Sequence, residues 1–129
     1  MKLTVFRTDD QGEVLAHCRS IRAVLGCALR APHHTAGPKA VAGELELAAG
    51  GVLLLDEAAD FRRACFEELA RRVASRVLRG KPLPLAIVLR VDADPSELER
   101  LARVASSILH PDDVEALRRE PTASNRTWR

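Results

Sequence analysis

Aromatic side chains are scarce in this sequence, which has three phenylalanines, one tryptophan and no tyrosine. Binding of single-stranded nucleic acid by stacking requires aromatic rings along a basic surface. Trp128 lies close to the C-terminus, and Phe61 and Phe66 occupy apolar positions suited to packing. The sequence therefore does not support recognition of single strands by stacking.

Long apolar runs are also missing. No stretch approaches the roughly 18 to 20 apolar residues that span a bilayer. The N-terminal stretch MKLTVFRTDD lacks the apolar core of a signal peptide. These features predict a cytoplasmic protein with no membrane contact.

Cysteine is limited to Cys18, Cys27 and Cys65, an odd number without CxxC spacing. This pattern favours neither a disulfide framework nor a cysteine metal site. Cys18 and Cys65 fall on apolar helical positions, so we expect buried free thiols there.

A phosphate-binding loop is missing too. The pattern G-x-x-x-x-G-K-[ST], whose backbone amides and lysine cradle phosphates, occurs nowhere in these 129 residues. The Gly80-Lys81 pair is followed by Pro82 and lacks both the upstream glycine and the hydroxyl residue. The usual means of holding a nucleotide is therefore not visible.

The overall composition is that of an ordinary soluble domain, with 47% hydrophobic and 29% charged residues. Its length suits one domain with its own core. A formal net charge of +2 is too small to indicate nucleic-acid binding by itself.

Strand and helix patterns alternate along the chain, which predicts an α/β fold with a mostly parallel sheet. The runs VLLL and LAIVLRV lack polar alternation, as expected of strands buried on both faces. We predict strands at residues 2–7, 52–55 and 85–91, a loop at 30–42, and helices at 13–26, 43–49, 60–80, 94–109 and after 110. We expect residues 1–120 to form a single domain and residues 121–129 a flexible C-terminal tail.

Two acidic residues, Asp56 and Glu57, directly follow the VLLL strand. Ligands of open α/β sheets bind at the carboxyl ends of strands. An aspartate at this point can hold Mg²⁺ against nucleotide phosphates, and the next acid can orient or deprotonate the attacking water. The alternative is a solvated strand end followed by a turn.

The stretch RAPHHT, followed by GELELAAGGVLLLDEAADF, resembles the magnesium-chelatase subunit I-like branch of the AAA+ ATPases, and most closely its bacterial ComM/YifB-type members. The resemblance covers residues 30–72. It implies an αβα ATPase core, hexameric rings and Mg·ATP as cofactor, with Asp56 as the Walker B ligand of Mg²⁺ and Glu57 as the catalytic residue that activates water. Members act in chelatase complexes or, in the ComM type, on branched DNA.

The sequence departs from this family at the points that would hold a nucleotide. The first strand–turn–helix could be a remnant of the phosphate-loop unit, but its turn TDDQGE is acidic and would repel phosphate. Asp94 stands at the sensor-1-like position, where relatives carry an asparagine before proline, and it also suits a helix N-cap. The lid domain of the family does not fit in the residues after Leu109. We therefore expect a reduced αβα sandwich, a partial AAA+ core.

Two further groups are candidate contacts. His33 and His34 suggest a metal site, but adjacent histidines diverge on an extended loop and no further ligand has useful spacing, which favours a loop inherited from the family. The helix after Asp60 carries several arginines that form either a solvated face paired with Glu67 and Glu68 or a basic surface for nucleic acid. These arginines are Arg62, Arg63, Arg71, Arg72, Arg76 and Arg79.

Three functional hypotheses follow. The favoured one is a degenerate or truncated family member without stand-alone ATPase activity, acting as an interaction or regulatory module, with Mg·ATP as cofactor if it is active and otherwise none. In the second, the chain supplies Asp56 and Glu57 to an ATPase completed by an AAA+ partner chain that carries the phosphate loop; a homo-oligomer is the other possible assembly. In the third, the arginine-rich helix, with Arg72, Arg76 and Arg79, binds nucleic acid or an acidic partner.

Overall fold

The computed structural model describes residues 2–91, 103 and 125–128 of the chain. The described elements alternate between strand and helix. They are β1 (Lys2–Arg7), α1 (Gln11–Leu25), β2 (Leu29–Arg30), α2 (Pro38–Leu47), β3 (Val52–Leu55), a 3₁₀ turn (Ala58–Asp60), α3 (Arg63–Leu78), β4 (Ala86–Val91) and β5 (Asn125–Trp128).

The strands form one sheet in the order β2-β3-β4-β1-β5. The first four of these strands run parallel, with Leu29 paired to Val52, Val52 to Ala86, and Lys2 to Ala86. β5 joins the free edge of β1 in antiparallel orientation. The predicted mostly parallel sheet is confirmed.

Apolar side chains cover both faces of the sheet. Successive strand residues point to opposite faces, so Val52 and Leu54 pack with α1, while Leu53 and Leu55 pack with α2 and α3. All four residues of β3 are buried, and each large aliphatic side chain contributes about 2 kcal/mol through burial. The described part of the chain is therefore the expected αβα sandwich.

The first helix begins at Gln11, close to the predicted residue 13, but the next two predicted helix starts were wrong. The second helix begins at Pro38 rather than at residue 43, because Pro38 suits the first helical turn and Val41 and Ala42 extend the buried stripe. The third begins at Arg63, with Arg62 at the N-cap. Asp60 therefore ends the 3₁₀ turn and does not cap a helix.

The C-terminal predictions fall mostly on undescribed residues. The helices expected at residues 94–109 and after 110, and Asp94 itself, lie outside the described part of the chain. Within the expected tail, Asn125–Trp128 form a strand, because pairing with β1 satisfies their backbone groups. The flexibility expected of residues 121–129 stays a prediction.

Hydropathy places no described helix across a bilayer, since each is too short or too polar to span one.

Candidate functional site

The carboxyl edge of the parallel sheet gathers the acidic pair and the two histidines. Asp56 and Glu57 follow β3, and His33 and His34 lie in the loop after β2. Together with Gln11 on α1, these residues line a cavity of about 220 Å³. The fold thus brings together the Walker B-like acids and the histidines predicted from sequence.

Asp56 is held by two side-chain donors. The Nε of Arg90 donates to its Oδ1, and the amide nitrogen of Gln11 donates to its Oδ2. The Arg90 side chain is 5% exposed and that of Asp56 21%. Arg90 also donates from Nη1 to the carbonyl oxygen of Thr8 at 3.2 Å. The contacts of Asp56 and Arg90 therefore connect the ends of β3, β4 and β1 with the start of α1.

Sequence reasoning missed Arg90 as a site residue. Its signal was a single arginine inside the apolar run LAIVLRV, a strand that the same pattern predicts to be buried on both faces. A buried charge requires a partner of opposite sign or a hydrogen-bonding network. The acids at the end of the neighbouring strand, Asp56 and Glu57, were the available partners.

Glu57 has a left-handed backbone, with φ 52° and ψ 51°. This conformation costs a non-glycine residue about 1 kcal/mol or more, and it persists only where surrounding contacts impose it. One carboxylate oxygen of Glu57 lies 3.4 Å from Nε2 of His34, and the other lies 3.7 Å from Nη2 of Arg90. Glu57 thus links the loop after β2, which carries His34, to the guanidinium group of Arg90.

The contacts of Asp56 disfavour its direct coordination of Mg²⁺. Magnesium requires near-octahedral oxygen coordination by ionised carboxylates and water. Both oxygens of Asp56 already accept N–H donors, and one donor is a guanidinium cation that would repel the metal ion. A Mg²⁺ ion bound directly to Asp56 would lie beside the buried guanidinium of Arg90.

The start of α1 lies beside this pair and is acidic. Asp10 is the N-cap, and its carboxylate accepts the backbone N–H of Glu13 at 3.0 Å. Gln11, the first helical residue, contacts Asp56. A helix N-terminus attracts anions through its free N–H groups and dipole. Here the carboxylate of Asp10 already accepts a hydrogen bond from one of those N–H groups, and Glu13 adds a second negative charge in the first turn.

Two carboxylates lie near His34. The centroid of its imidazole ring lies 4.2 Å from that of His33 and 6.5 Å from that of the nearly perpendicular Phe61 ring. Ligand atoms of His34, Glu57 and Asp60 all lie within 4.8 Å of one another. The sequence offered no further ligand of useful spacing, and in the structure the turn after β3 brings two acids to the loop after β2, beside His34.

The arginines of α3 have acidic partners. Arg72 contacts Glu46 at 2.9 Å and Glu68 at 3.2 Å, which raises its pKa, Glu68 contributing first. Arg76 lies 3.8 Å from Glu46 and donates to the carbonyl oxygen of Pro82 at 2.7 Å. Arg79 is the C-cap of the helix. Arg72 and Arg76 thus lie on a paired face of the molecule.

An arginine–glutamate pair fixes the start of the loop that carries His33 and His34. Arg30 donates to both carboxylate oxygens of Glu44, at 2.5 and 3.0 Å. The hydrogen bond from Arg30 lowers the pKa of Glu44. The loop that carries His33 and His34 is thereby anchored to α2.

The three cysteines are free, and Cys18 and Cys65 are buried as expected. Burial, and then the charge of Asp56, raise the pKa of Cys18 from 9.0 to about 11. Burial also raises the pKa of Cys65. Cys27 is partly exposed.

We expect iodoacetamide at pH 8 to modify Cys27 long before Cys18. A thiol whose pKa rises from 9.0 to about 11 loses about 100-fold of its reactive thiolate at that pH, and burial adds to the protection. Timed alkylation followed by peptide mass spectrometry measures the ratio. In denaturant the two rates should converge, and equal rates in the native protein would contradict the expectation.

A family model described as "Magnesium chelatase, subunit ChlI" matches residues 12–79, just over half of the chain. The match begins in α1, includes Asp56 and Glu57, and ends just after α3, so Arg90 lies beyond it. Searches of curated proteins and of solved structures found no match.

Proposed function

The chain belongs to the magnesium chelatase subunit ChlI family, and from this premise we propose that it is a member without stand-alone ATPase activity. Its αβα core would act as an interaction or regulatory module. The family suggests dependence on nucleotide and Mg²⁺, so the proposal concerns how this chain departs from its relatives.

The observation that carries the proposal is the engagement of Asp56 by Arg90 and Gln11. An aspartate serving as a metal ligand must present an oxygen to the ion. Freeing Asp56 would leave the buried guanidinium of Arg90 without its partner. Removing one member of a buried ion pair typically costs about 3–5 kcal/mol, an amount that magnesium binding would first have to offset.

The start of α1 supports the same proposal. A nucleotide phosphate held between this helix and Asp56 would meet the carboxylates of Asp10 and Glu13. Each unfavourable contact costs on the order of 1 kcal/mol or more at the effective dielectric of a protein surface. No lysine of a G-x-x-x-x-G-K-[ST] pattern is available in these 129 residues to offset that repulsion.

The contacts of α3 do not favour nucleic-acid binding as the alternative. A phosphate backbone is bound by cations that release counterions. Arg72 and Arg76 already pair with carboxylates on α2 and α3. Binding to phosphates would break those contacts.

The proposal is tested by titrating the purified chain with Mg·ATP and Mg·ADP in a calorimeter. We expect no saturable binding tighter than about 1 mM and no phosphate release. Micromolar binding that Asp56→Asn abolishes would overturn the proposal. Turnover that appears only with a second polypeptide, and that Glu57→Gln removes, would instead assign the chain to an ATPase completed by a partner.

The regulatory part of the proposal has its own measurement. Added to an active magnesium-chelatase-type AAA+ ring, the chain should change the rate of ATP hydrolysis, and the change should grow with its concentration until binding saturates. An unchanged rate at saturating chain would contradict a regulatory role.

A further inference from the structure

We propose that His34, Glu57 and Asp60 form a binding site for one divalent transition-metal ion of the zinc class. This site does not include Asp56, the residue that the family resemblance implies as a Mg²⁺ ligand, and it does not depend on nucleotide. It therefore goes beyond the function proposed above, and each proposal can fail without the other.

The separation of the ligand atoms suits zinc. With metal–ligand bonds of about 2.0–2.1 Å and tetrahedral angles, neighbouring ligand atoms lie about 3.3 Å apart. Nε2 of His34 and a carboxylate oxygen of Glu57 are 3.4 Å apart. The carboxylate of Asp60 completes a group whose ligand atoms all lie within 4.8 Å. Small side-chain rotations would bring all three atoms to a common ion.

The histidine and Glu57 are oriented by their surroundings. The ring of His34 lies 4.2 Å from that of His33 and 6.5 Å, nearly perpendicular, from that of Phe61, which is 1% exposed. The left-handed backbone of Glu57 turns its side chain back towards the loop after β2. A site whose ligands are already positioned loses less entropy when it binds an ion.

Asp60 is available because it does not cap α3. That helix begins at Arg63 with Arg62 as N-cap, and the backbone N–H of Asp60 donates to the carbonyl oxygen of Glu57 at 2.9 Å. The 3₁₀ turn thus fixes two carboxylates close to each other. In the described part of the chain, Arg90 lies within salt-bridge distance of Glu57, at 3.7 Å, and no arginine pairs with Asp60. A bound cation would offset the remaining negative charge.

The donor set indicates the class of metal. One imidazole and two carboxylates suit Zn²⁺ or Co²⁺, whereas Mg²⁺ prefers oxygen ligands and retained water. Three protein ligands leave a fourth position for water or another small ligand. The cavity of about 220 Å³ beside His34 and Glu57 has room for it.

The test is metal binding by the full chain carrying Cys27→Ser, which removes the partly exposed thiol. Zn²⁺ affinity is measured by competition with a chelating dye, and Co²⁺ is followed by its visible absorption. We expect one equivalent to bind, with no thiolate charge-transfer band. His34→Gln and Asp60→Asn should each weaken binding by at least about 10-fold.

Two control variants match these changes. His17→Gln removes a histidine on α1, and Glu67→Gln removes an exposed carboxylate on α3. Both should leave the affinity within about 3-fold of the parent, below the loss that even a supporting residue causes. Circular dichroism of every variant checks the fold.

Several results would overturn the metal site. These are the absence of saturable Zn²⁺ binding, binding that His34→Gln and Asp60→Asn leave unchanged, an equal loss in either control, and a thiolate band with Co²⁺. Mg·ATP binding, tested separately, bears only on the proposed loss of ATPase activity.

Discussion

Replacing Arg90 by methionine should lower the free energy of unfolding by about 3 kcal/mol. The Arg90 side chain is 5% exposed and contacts Asp56, Glu57 and the carbonyl oxygen of Thr8. Methionine keeps much of the volume but leaves the partly buried carboxylate of Asp56 without its cation. Most of the loss therefore comes from the unpaired acid rather than from packing.

Urea denaturation followed by circular dichroism measures this loss, and a double-mutant cycle assigns it. The double variant Arg90→Met/Asp56→Asn should lose less free energy of unfolding than the two single variants added together, by more than about 1 kcal/mol. Arg63→Met is the matched control, since its exposed pair with Glu67 contributes about 0.5 kcal/mol or less. Additive effects would show that the Arg90–Asp56 contact is not the cause.

Replacing Gly51 by alanine should have the largest effect on stability, more than about 4 kcal/mol. A Cβ at this position would lie 2.2 Å from the carbonyl oxygen of Ala28. That oxygen accepts the N–H of Val52 at 2.9 Å, and the carbonyl oxygen of Gly51 accepts the N–H of Leu85 at 2.8 Å. Because backbone bonds hold both sides of the clash, neither side can move without breaking the start of the β2–β3 pairing.

The matched control for this change is Gly43→Ala. Gly43 lies within α2, and a Cβ there meets no heavy atom within 4 Å. Alanine should stabilise the protein by about 0.5–1 kcal/mol, because glycine loses more backbone entropy in a helix. Thermal and urea unfolding of both variants test the pair. If the Gly51→Ala protein is as stable as its parent, the backbone at Ala28 and Gly51 can move apart at little cost, and the prediction is wrong.

The importance of Gly51 could not be predicted from sequence patterns. Two adjacent glycines after a helix are typical of a C-terminal cap, and Gly50 has a positive φ of 74°. The need for glycine at Gly51 has a different cause, the close approach of Ala28. That approach exists only because β2, two residues long, pairs with β3, and so short a strand leaves no periodic signal.

The sequence by itself determined the class of fold. The runs VLLL and LAIVLRV have no polar alternation, so their strands had to be buried on both faces, and helices had to cover them. Helix ends were harder to predict. Pro38 and Val41 extend α2 into a stretch whose prolines and glycine suggested a loop, and the contacts of Val41 with the core decide its structure.

The sequence also placed Asp56 and Glu57 at the carboxyl edge of the sheet, because a residue that follows a strand must emerge there. Only the tertiary structure decided what surrounds them. Arg90 and Gln11 are 34 and 45 residues from Asp56 along the chain. They reach it because β4 pairs with β3 and because α1 packs on the face that presents Leu54. Contacts between such distant residues depend on strand order and register, which no local pattern encodes.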